Sequence, residues 1–496
     1  MSFSTFTPNY YSRIVRTHAN SLTDDNLYLF VADGLTTDAV SNSKPKTIYD
    51  EQQIVNQIIY GGRVKPANVV ALCRRINWVS GKIFDKYDSL DPDLEDKDFY
   101  CITSQRRVYK CLSNANEKPS TVEPSSLDQM PTTYGDNYTW KYMYSITVEE
   151  MSTYSNAELM PVIENTETKE AAVPGTISDV DVVDGGNYTA THSGNILNVV
   201  NNKVFRVMDS ASNVDDIYKD SAFYISSGPS ESSIATITGY KSNSSGRFIT
   251  VDSSMPDVTI SSQYTIAPRV NIVGDGSGAS AFAVIEGNTV DRVDMLTGGS
   301  NYTYATSTLV SNTAFSSDGA LKTIIAPIKG HGSDVYNELF ANYIMYNFEL
   351  DNIMVDLPVE DITFSRVGLI RGLVTEADPT VDYDEDNFVN TATLEVATLF
   401  GNFEVGDLIE SDTGGATKMK VVYANTTHIT GVYQHASRFI TNDRIINQNG
   451  ITASVVSATT PDVKLISADV VAIVNTDTIK RDENSREIVQ IIIKVK

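Results

Sequence analysis

The chain has 496 residues, 41% of them hydrophobic, and 63 Asp and Glu against 38 Lys and Arg give a formal net charge of −25. The length suits about three domains at roughly 150 residues each, and the acidity disfavours nucleic acid, whose phosphates call for clustered cations that this sequence lacks. The apolar runs are short, none near the roughly 20 residues that cross a bilayer; residues 1–7 have neither the basic start nor the apolar stretch of a signal peptide, so use without export is expected.

Early in the chain, Ile54, Val55, Ile58 and Ile59 repeat at helical spacing, which predicts an amphipathic helix over 50–60 stopped by Gly61 and Gly62. Cys73, Cys101 and Cys111 form no Cys-x-x-Cys pair and have no histidine at zinc-finger spacing, so buried free thiols are expected. The β-prone runs 99–103 and 107–112, separated by Ser104, Gln105 and Arg106, predict a hairpin. A turn-rich stretch holding Pro119 and Pro124 follows. In 138–146, Tyr138, Trp140, Tyr142 and Tyr144 alternate, as on one face of a strand. A core or dimer-facing aromatic surface is the simpler reading, and carbohydrate stacking on exposed rings the sharper one.

Near Val173 the texture changes, with few Lys and Arg and many Ser, Thr, Asn, Gly and β-branched residues. This predicts an all-β unit over 173–322. It carries an internal echo, since 176–186 aligns without a gap to 289–299, each copy entering a Gly-Gly pair and reaching Asn-Tyr-Thr at Asn187 and Asn301. A second unit, 374–464, repeats 403–409 as 439–445, which implies paired hairpins in a small barrel or sandwich. Between the two units, 333–342 reads as helix or loop and 367–370 as an apolar strand. The run 487–495 reads as a buried closing strand.

Candidate chemistry is sparse. His18, His192, His331, His428 and His435 are scattered, and the seven-residue spacing of the last two is no metal pattern. Gly274, Gly276 and Gly278 lead into a strand rather than the helix that a phosphate cradle needs, so a β-turn is expected. No Gly-x-Ser-x-Gly elbow and no His-Glu-x-x-His occur. Asp382, Asp384 and Asp386 alternate as at the start of a calcium loop, but Asn387 and Thr393 stand where Gly and a bidentate Glu are required. A solvated acidic linker is the expectation there, and 91–98 reads as an exposed acidic loop. No catalytic, cofactor-binding or metal residue is nominated.

Several uncommon strings recur in one order: Arg74-Arg75-Ile76-Asn77-Trp78-Val79-Ser80-Gly81, Phe84-Asp85-Lys86-Tyr87-Asp88, Phe99-Tyr100-Cys101-Ile102-Thr103, Val108-Tyr109-Lys110-Cys111-Leu112, the turn 119–124, Tyr138-Thr139-Trp140-Lys141-Tyr142-Met143-Tyr144, then Phe364-Ser365-Arg366-Val367-Gly368-Leu369-Ile370 and the closing Arg486-Glu487-Ile488-Val489-Gln490-Ile491-Ile492. In this the chain resembles the baseplate wedge subunit of T-even-type contractile-tailed phages, the wedge component present as a dimer in that family. The resemblance covers 1–172, about 323–372 and about 465–496; the two β units interrupt it.

What the resemblance implies is a mainly β fold with flanking helices. An α+β scaffold of 1–172, 323–373 and 465–496 would pack as one discontinuous body interrupted by two all-β insertion domains. It further implies a non-enzymatic structural protein of the virion tail baseplate, made in the host cytoplasm, that forms a homodimer and contacts other wedge proteins. The inserts would reach tail fibres or peripheral baseplate proteins. The rival expectations are a receptor- or glycan-binding tail protein using the Ser/Thr/Asn/Tyr-rich inserts, and a surface-polymer hydrolase, for which the sequence offers no carboxylate pair.

Overall fold

The computed structural model describes residues 8–21, 26–33, 47, 53–312, 316–317, 319–350, 363–434, 437–465, 468–480 and 487–495. Strands take 49% of the described residues and helices 8%, so the fold is mainly β. No helix among the described residues is long and apolar enough to cross a membrane. The chain divides into two compact units, one made of Cys73–Ala341, the other of Tyr10–Leu72 with Asn342–Lys496.

In the first unit the expected hairpin is Tyr100–Ile102 paired with Arg107–Asn114, Cys101 opposite Tyr109. Arg106, at φ 58°, supplies the left-handed residue that turns the chain. Tyr138–Ser145 adds to the other side of Arg107–Asn114, with register shifts between Val108 and Tyr109 and between Cys111 and Ser113. The alternating rings lie inside, not on the surface: Tyr138, Trp140, Tyr142 and Tyr144 are all buried. Tyr138 stacks on Trp140 at 5.7 Å, and Phe84 meets the same indole edge-on at 5.3 Å. Cys73, Cys101 and Cys111 are free and buried in this core, and burial pushes the Cys73 thiol up to about 12.

The rest of this unit is strand-built. A seven-stranded sheet runs in the order His192–Asn195, Gln263–Ala267, Ala222–Ser227, Ile234–Asn243, Gly246–Val251, Val204–Val207, Asn198–Asn201. Beside it lie the pair Ile177–Asp184 with Ala320–Ile325 and a four-stranded sheet containing Thr289–Ser300. The echoed segments touch reciprocally. A Cβ on Gly185 would come within 2.3 Å of Thr289, and one on Gly298 within 2.3 Å of the matching Thr176. Tyr188 N–H donates to the Asn288 carbonyl at 2.6 Å, and Tyr302 N–H to the Gly175 carbonyl at 3.0 Å. Such reciprocity is the mark of a two-fold relation between the copies. The ends of this region also meet, Ala326 N–H bonding the Thr176 carbonyl at 2.8 Å.

In the second unit a five-stranded sheet has the order Asn387–Val389, Ile58–Arg63, Leu27–Ala32, Thr363–Arg371, Asp469–Lys480. The helix expected over 50–60 is thereby corrected. Only 53–55 are helical, while 50–52 lie outside the described residues. Gly61 and Gly62 sit within the strand instead of ending a helix. A Cβ on Gly61 would meet the Leu29 carbonyl at 2.3 Å and the Phe388 ring at 2.5 Å, so glycine there admits a neighbouring strand and its aromatic side chain. Burial of Ile58, Ile59 and Tyr60 between strands outweighs the local helical spacing.

Glu487–Lys494 pairs with Tyr343–Leu350, which pairs in turn with Val69–Leu72. The expected burial of this closing strand is not met, since Ile491 is buried but Ile488 is 58% exposed, as befits a strand with one neighbour among the described residues. Thr391–Phe400, His428–Tyr433, Lys418–Ala424, Leu408–Ser411, Arg444–Asn447 and Thr452–Ala458 close a six-stranded barrel. Its echo is again two-fold. Glu410 pairs across from its counterpart Ile446, and Thr393 faces Thr430 with hydroxyls 2.9 Å apart. The turn preceding each echoed strand is tied alike, Asp407 accepting from Glu404 N–H at 3.0 Å and Asp443 from Ile440 N–H at 2.9 Å. Val374–Thr375 pairs with Val463–Lys464, so this excursion too leaves and returns at one place.

Candidate functional site

The densest buried chemistry lies in the first unit, at residues that sequence reading passed over. Lys110 and Lys141 sit opposite each other on adjacent strands, and both are buried, Lys110 with no exposed surface. An unpaired ammonium in such a place would be very costly. Lys110 is paired with Glu338 and lies 4.2 Å from the centre of the Tyr87 ring. Both Glu338 oxygens accept the Gly332 N–H at 2.9 Å, and one accepts the Asp334 N–H at 3.0 Å. Lys141 donates to the Gln129 carbonyl, and Thr168 holds the Gln129 side chain at 2.7 Å.

His331 completes the cluster. Its Nε2 is 2.7 Å from Ser178 Oγ, its ring meets Tyr87 edge-on at 5.6 Å, and its buried Nδ1 has no hydrogen-bond partner. Local sequence puts it there. Gly330 and Gly332 have φ of 91° and 89°, and a Cβ on Gly332 would lie 2.5 Å from Thr168. The loop therefore folds tightly only with glycine on each side of the histidine. Asp334 then caps the short helix Val335–Glu338 that presents the carboxylate.

Electrostatics follow from burial. Desolvation draws the Lys110 ammonium below its ordinary value against the pull of Glu338. Lys141 falls to about 8, first through desolvation and then through repulsion by Lys110. His331 is held well below the usual imidazole range by desolvation, then by Lys110 and Lys141. These charges are turned on one another, which suits a clamp joining segments more than 200 positions apart.

A second set of ion pairs ties the segment 82–118 to the strand-built region of the same unit. Lys86 meets Asp179 at 3.3 Å and also pairs with Asp181, Lys322 pairs with Asp88, and Lys118 reaches Asp291 at 2.8 Å. Asp179 is almost fully buried and its carboxyl is raised by desolvation, with Lys86 opposing.

The residues weighed in sequence are placed as follows. The acidic side chains of 382–387 are exposed, as a solvated linker requires, and ion pairs hold the stretch in place. Asp384 pairs with Arg63 at 2.6 Å and Asp386 with Lys65 at 2.9 Å, while Tyr383 is buried beside Tyr28, whose hydroxyl donates to the Tyr383 and Glu385 carbonyls. The loop 91–98 folds onto itself, Asp91 paired with Lys97 at 2.5 Å, and Asp98 is bridged by Arg74 and Lys82 at 2.8 and 2.7 Å. Asp275, in the glycine-rich turn, accepts the Thr303 hydroxyl and the N–H groups of Thr303 and Tyr304, the latter two at 2.8 and 3.2 Å, and these bonds, the hydroxyl's first, hold its carboxyl at about 2. The turn thus clasps a neighbouring loop, and the strand Ser277–Glu286 follows it.

His192 lies between Tyr264 and Ser210, at 2.8 and 3.2 Å. His428 is exposed, and His435 lies outside the described residues. His331, by contrast, is buried. Among the described residues no group of three or more His, Cys, Asp or Glu side chains could hold a metal ion.

A signal for the missed cluster did exist. Lys110 stands between Tyr109 and Cys111 in a run whose two faces are both apolar, Val108 and Leu112 sharing its own face, and Lys141 stands between Trp140 and Tyr142 with Met143 on its own face. A strand buried on both faces leaves a lysine no route to water.

No protein-family model matches the chain, and no curated protein is significantly similar to it.

Proposed function

We propose that the chain is a non-enzymatic structural subunit of a phage tail baseplate wedge, one that dimerises and links other wedge proteins during assembly and host attachment. The observation that carries this reading is the fate of the ordered strings. Phe84, Tyr87, Phe99 to Ile102, Val108, Tyr109, Cys111, Tyr138, Trp140 and Tyr142 to Tyr144 all fall in one core cluster, so the resembling residues share a packing role. The ionic clamp on that core is of the kind that fixes geometry, since breaking one partner of a buried pair costs about 3–5 kcal/mol.

In this reading the scaffold is 1–172, 323–373 and 465–496, with 173–322 and 374–464 as its two all-β insertion domains. Each contact unit holds scaffold residues and one insert, and each insert begins and ends on adjacent backbone, as a module hung from a scaffold does. The inserts offer their outer faces to fibres or peripheral tail proteins. The working place is the virion baseplate, after synthesis in the host cytoplasm. A receptor- or glycan-binding tail protein using the inserts is the rival; the burial of Tyr138, Trp140, Tyr142 and Tyr144 counts only against carbohydrate stacking on that strand.

The test joins two measurements. Sedimentation of the purified chain is expected to give a dimer, and cross-linking mass spectrometry of intact virions should join this chain to other baseplate proteins. A monomeric chain absent from virion cross-links, or one that binds saturably on a glycan array through its inserts, would replace the proposal.

A further inference from the structure

His331 is held in a setting that has room for a neutral imidazole only. The tautomer protonated on Nε2 donates to Ser178 and leaves Nδ1 as a bare lone pair; a second proton would put a buried N–H on Nδ1 with no acceptor. The groups facing it come from every packed element: Lys110 from Arg107–Asn114, Lys141 from Tyr138–Ser145, Glu338 from Val335–Glu338, Tyr87 from the segment ahead of the hairpin, and Ser178 from Ile177–Asp184. The carboxylates nearby are already engaged. Glu338 serves Lys110 and two backbone N–H groups, Asp179 serves Lys86, and Asp88 serves Lys322.

We propose that His331 is an acid-operated latch on the segment 327–341: a proton taken from solvent adds a third cation beside Lys110 and Lys141, and the segment lifts from the strands carrying those lysines. Opening hydrates that charge and can start from the surface end of the segment, where Ile328 is 94% exposed ahead of the buried Gly330, His331 and Gly332, and the helix beyond them is a single turn. The same segment leads straight to Ala341, where the chain leaves this unit. The latch therefore acts on the connection out of the aromatic core, whatever assembly the chain serves.

The sign follows from linkage. A histidine that binds protons more weakly when closed than when open favours the open state as pH falls below its ordinary value near 6.5, by up to about tenfold in the opening equilibrium per pH unit. The experiment is hydrogen exchange with mass spectrometry on the full chain between pH 7 and 4.5, corrected for intrinsic exchange rates.

Protection of 329–341 is expected to fall by up to about 100-fold between pH 6.5 and 4.5 and to return at pH 7, while the barrel strands of 391–458 keep theirs. Flat protection, or loss in both regions together, overturns the latch. His331→Gln should hold the segment closed at pH 4.5, and the same acid opening in that variant refutes the assignment. Should it fail to fold, Lys141→Met decides, since removing one facing cation must shrink the acid response, and an undiminished response overturns the proposal.

Discussion

Lys110 and Glu338 show how far one buried pair depends on both of its members. Removing either leaves a charge with no water and no counter-ion, so Glu338→Gln is expected to cost about 3–5 kcal/mol in denaturant unfolding, whereas replacing both by apolar residues of similar volume should cost far less. Equal losses in the single and double variants would mean that packing, not charge, is what the pair supplies. Lys141 makes a separate prediction about pH. Its ammonium is held at about 8 in the folded chain against 10.5 ordinarily, so between those values the unfolded chain carries more protons and stability rises with pH. The melting temperature of the wild type should rise relative to that of Lys141→Met from pH 8 to 10; a constant difference would contradict the burial of this charge.

The histidines show where residue-scale reading stops. Four of the five give no sign in sequence of anything but loop or surface, and His331 gives none either. Its burial comes from Tyr87 and Ser178, which are distant along the chain and meet it only after folding.

At the scale of elements, the hairpin at Tyr100–Asn114 was legible because β-branched and aromatic runs around a polar turn form it locally. The strand Ile58–Arg63 is hidden in the sequence because Ile58 and Ile59 continue the helical spacing of Ile54 and Val55 ahead of it, and only Phe388 and Leu29 across the sheet reveal why Gly61 belongs in a strand. The echoes were visible as repeats, but not the two-fold contact between them. That contact predicts matched damage. Gly185→Ala and Gly298→Ala each push a methyl group into a threonine and a backbone carbonyl of the other copy, and each should lose about 1–3 kcal/mol. A large effect at one site and none at the other would deny the symmetry.

In the barrel the symmetry is unequal in strength. Asp407 also accepts from Asn447 and Gln448 side chains, both at 2.7 Å. Asp407→Ala should therefore lower barrel stability more than Asp443→Ala, as read by protease susceptibility of 391–458. The reverse order would mean that the side-chain bonds add nothing beyond the turn itself.

For the whole molecule, the excursions end where they begin, so removal is a local operation on the backbone. Replacing 177–325 by a short glycine-serine linker should leave the aromatic core of 73–172 folded, with near-ultraviolet dichroism of Trp140 and its neighbours retained. It should also be less stable, because Lys86 and Lys118 lose Asp179, Asp181 and Asp291. Loss of the aromatic signal would show that the region is part of one cooperative core and not an appended module.

The sequence by itself determined the β class, the local hairpin, the two repeats and the absence of a recognisable catalytic motif, because each of these is written in short-range alternation and composition. The tertiary structure alone decided which rings face inward, how the repeats pair, that Gly61 and Gly62 lie in a strand, and that two lysines, a glutamate and a histidine converge out of water. The physical reason is one of range. Alternation and turn chemistry act over a few residues, whereas desolvation and ion pairing act between groups that share a place in space, and Lys110 and Glu338 share theirs only when segments 228 positions apart are brought together.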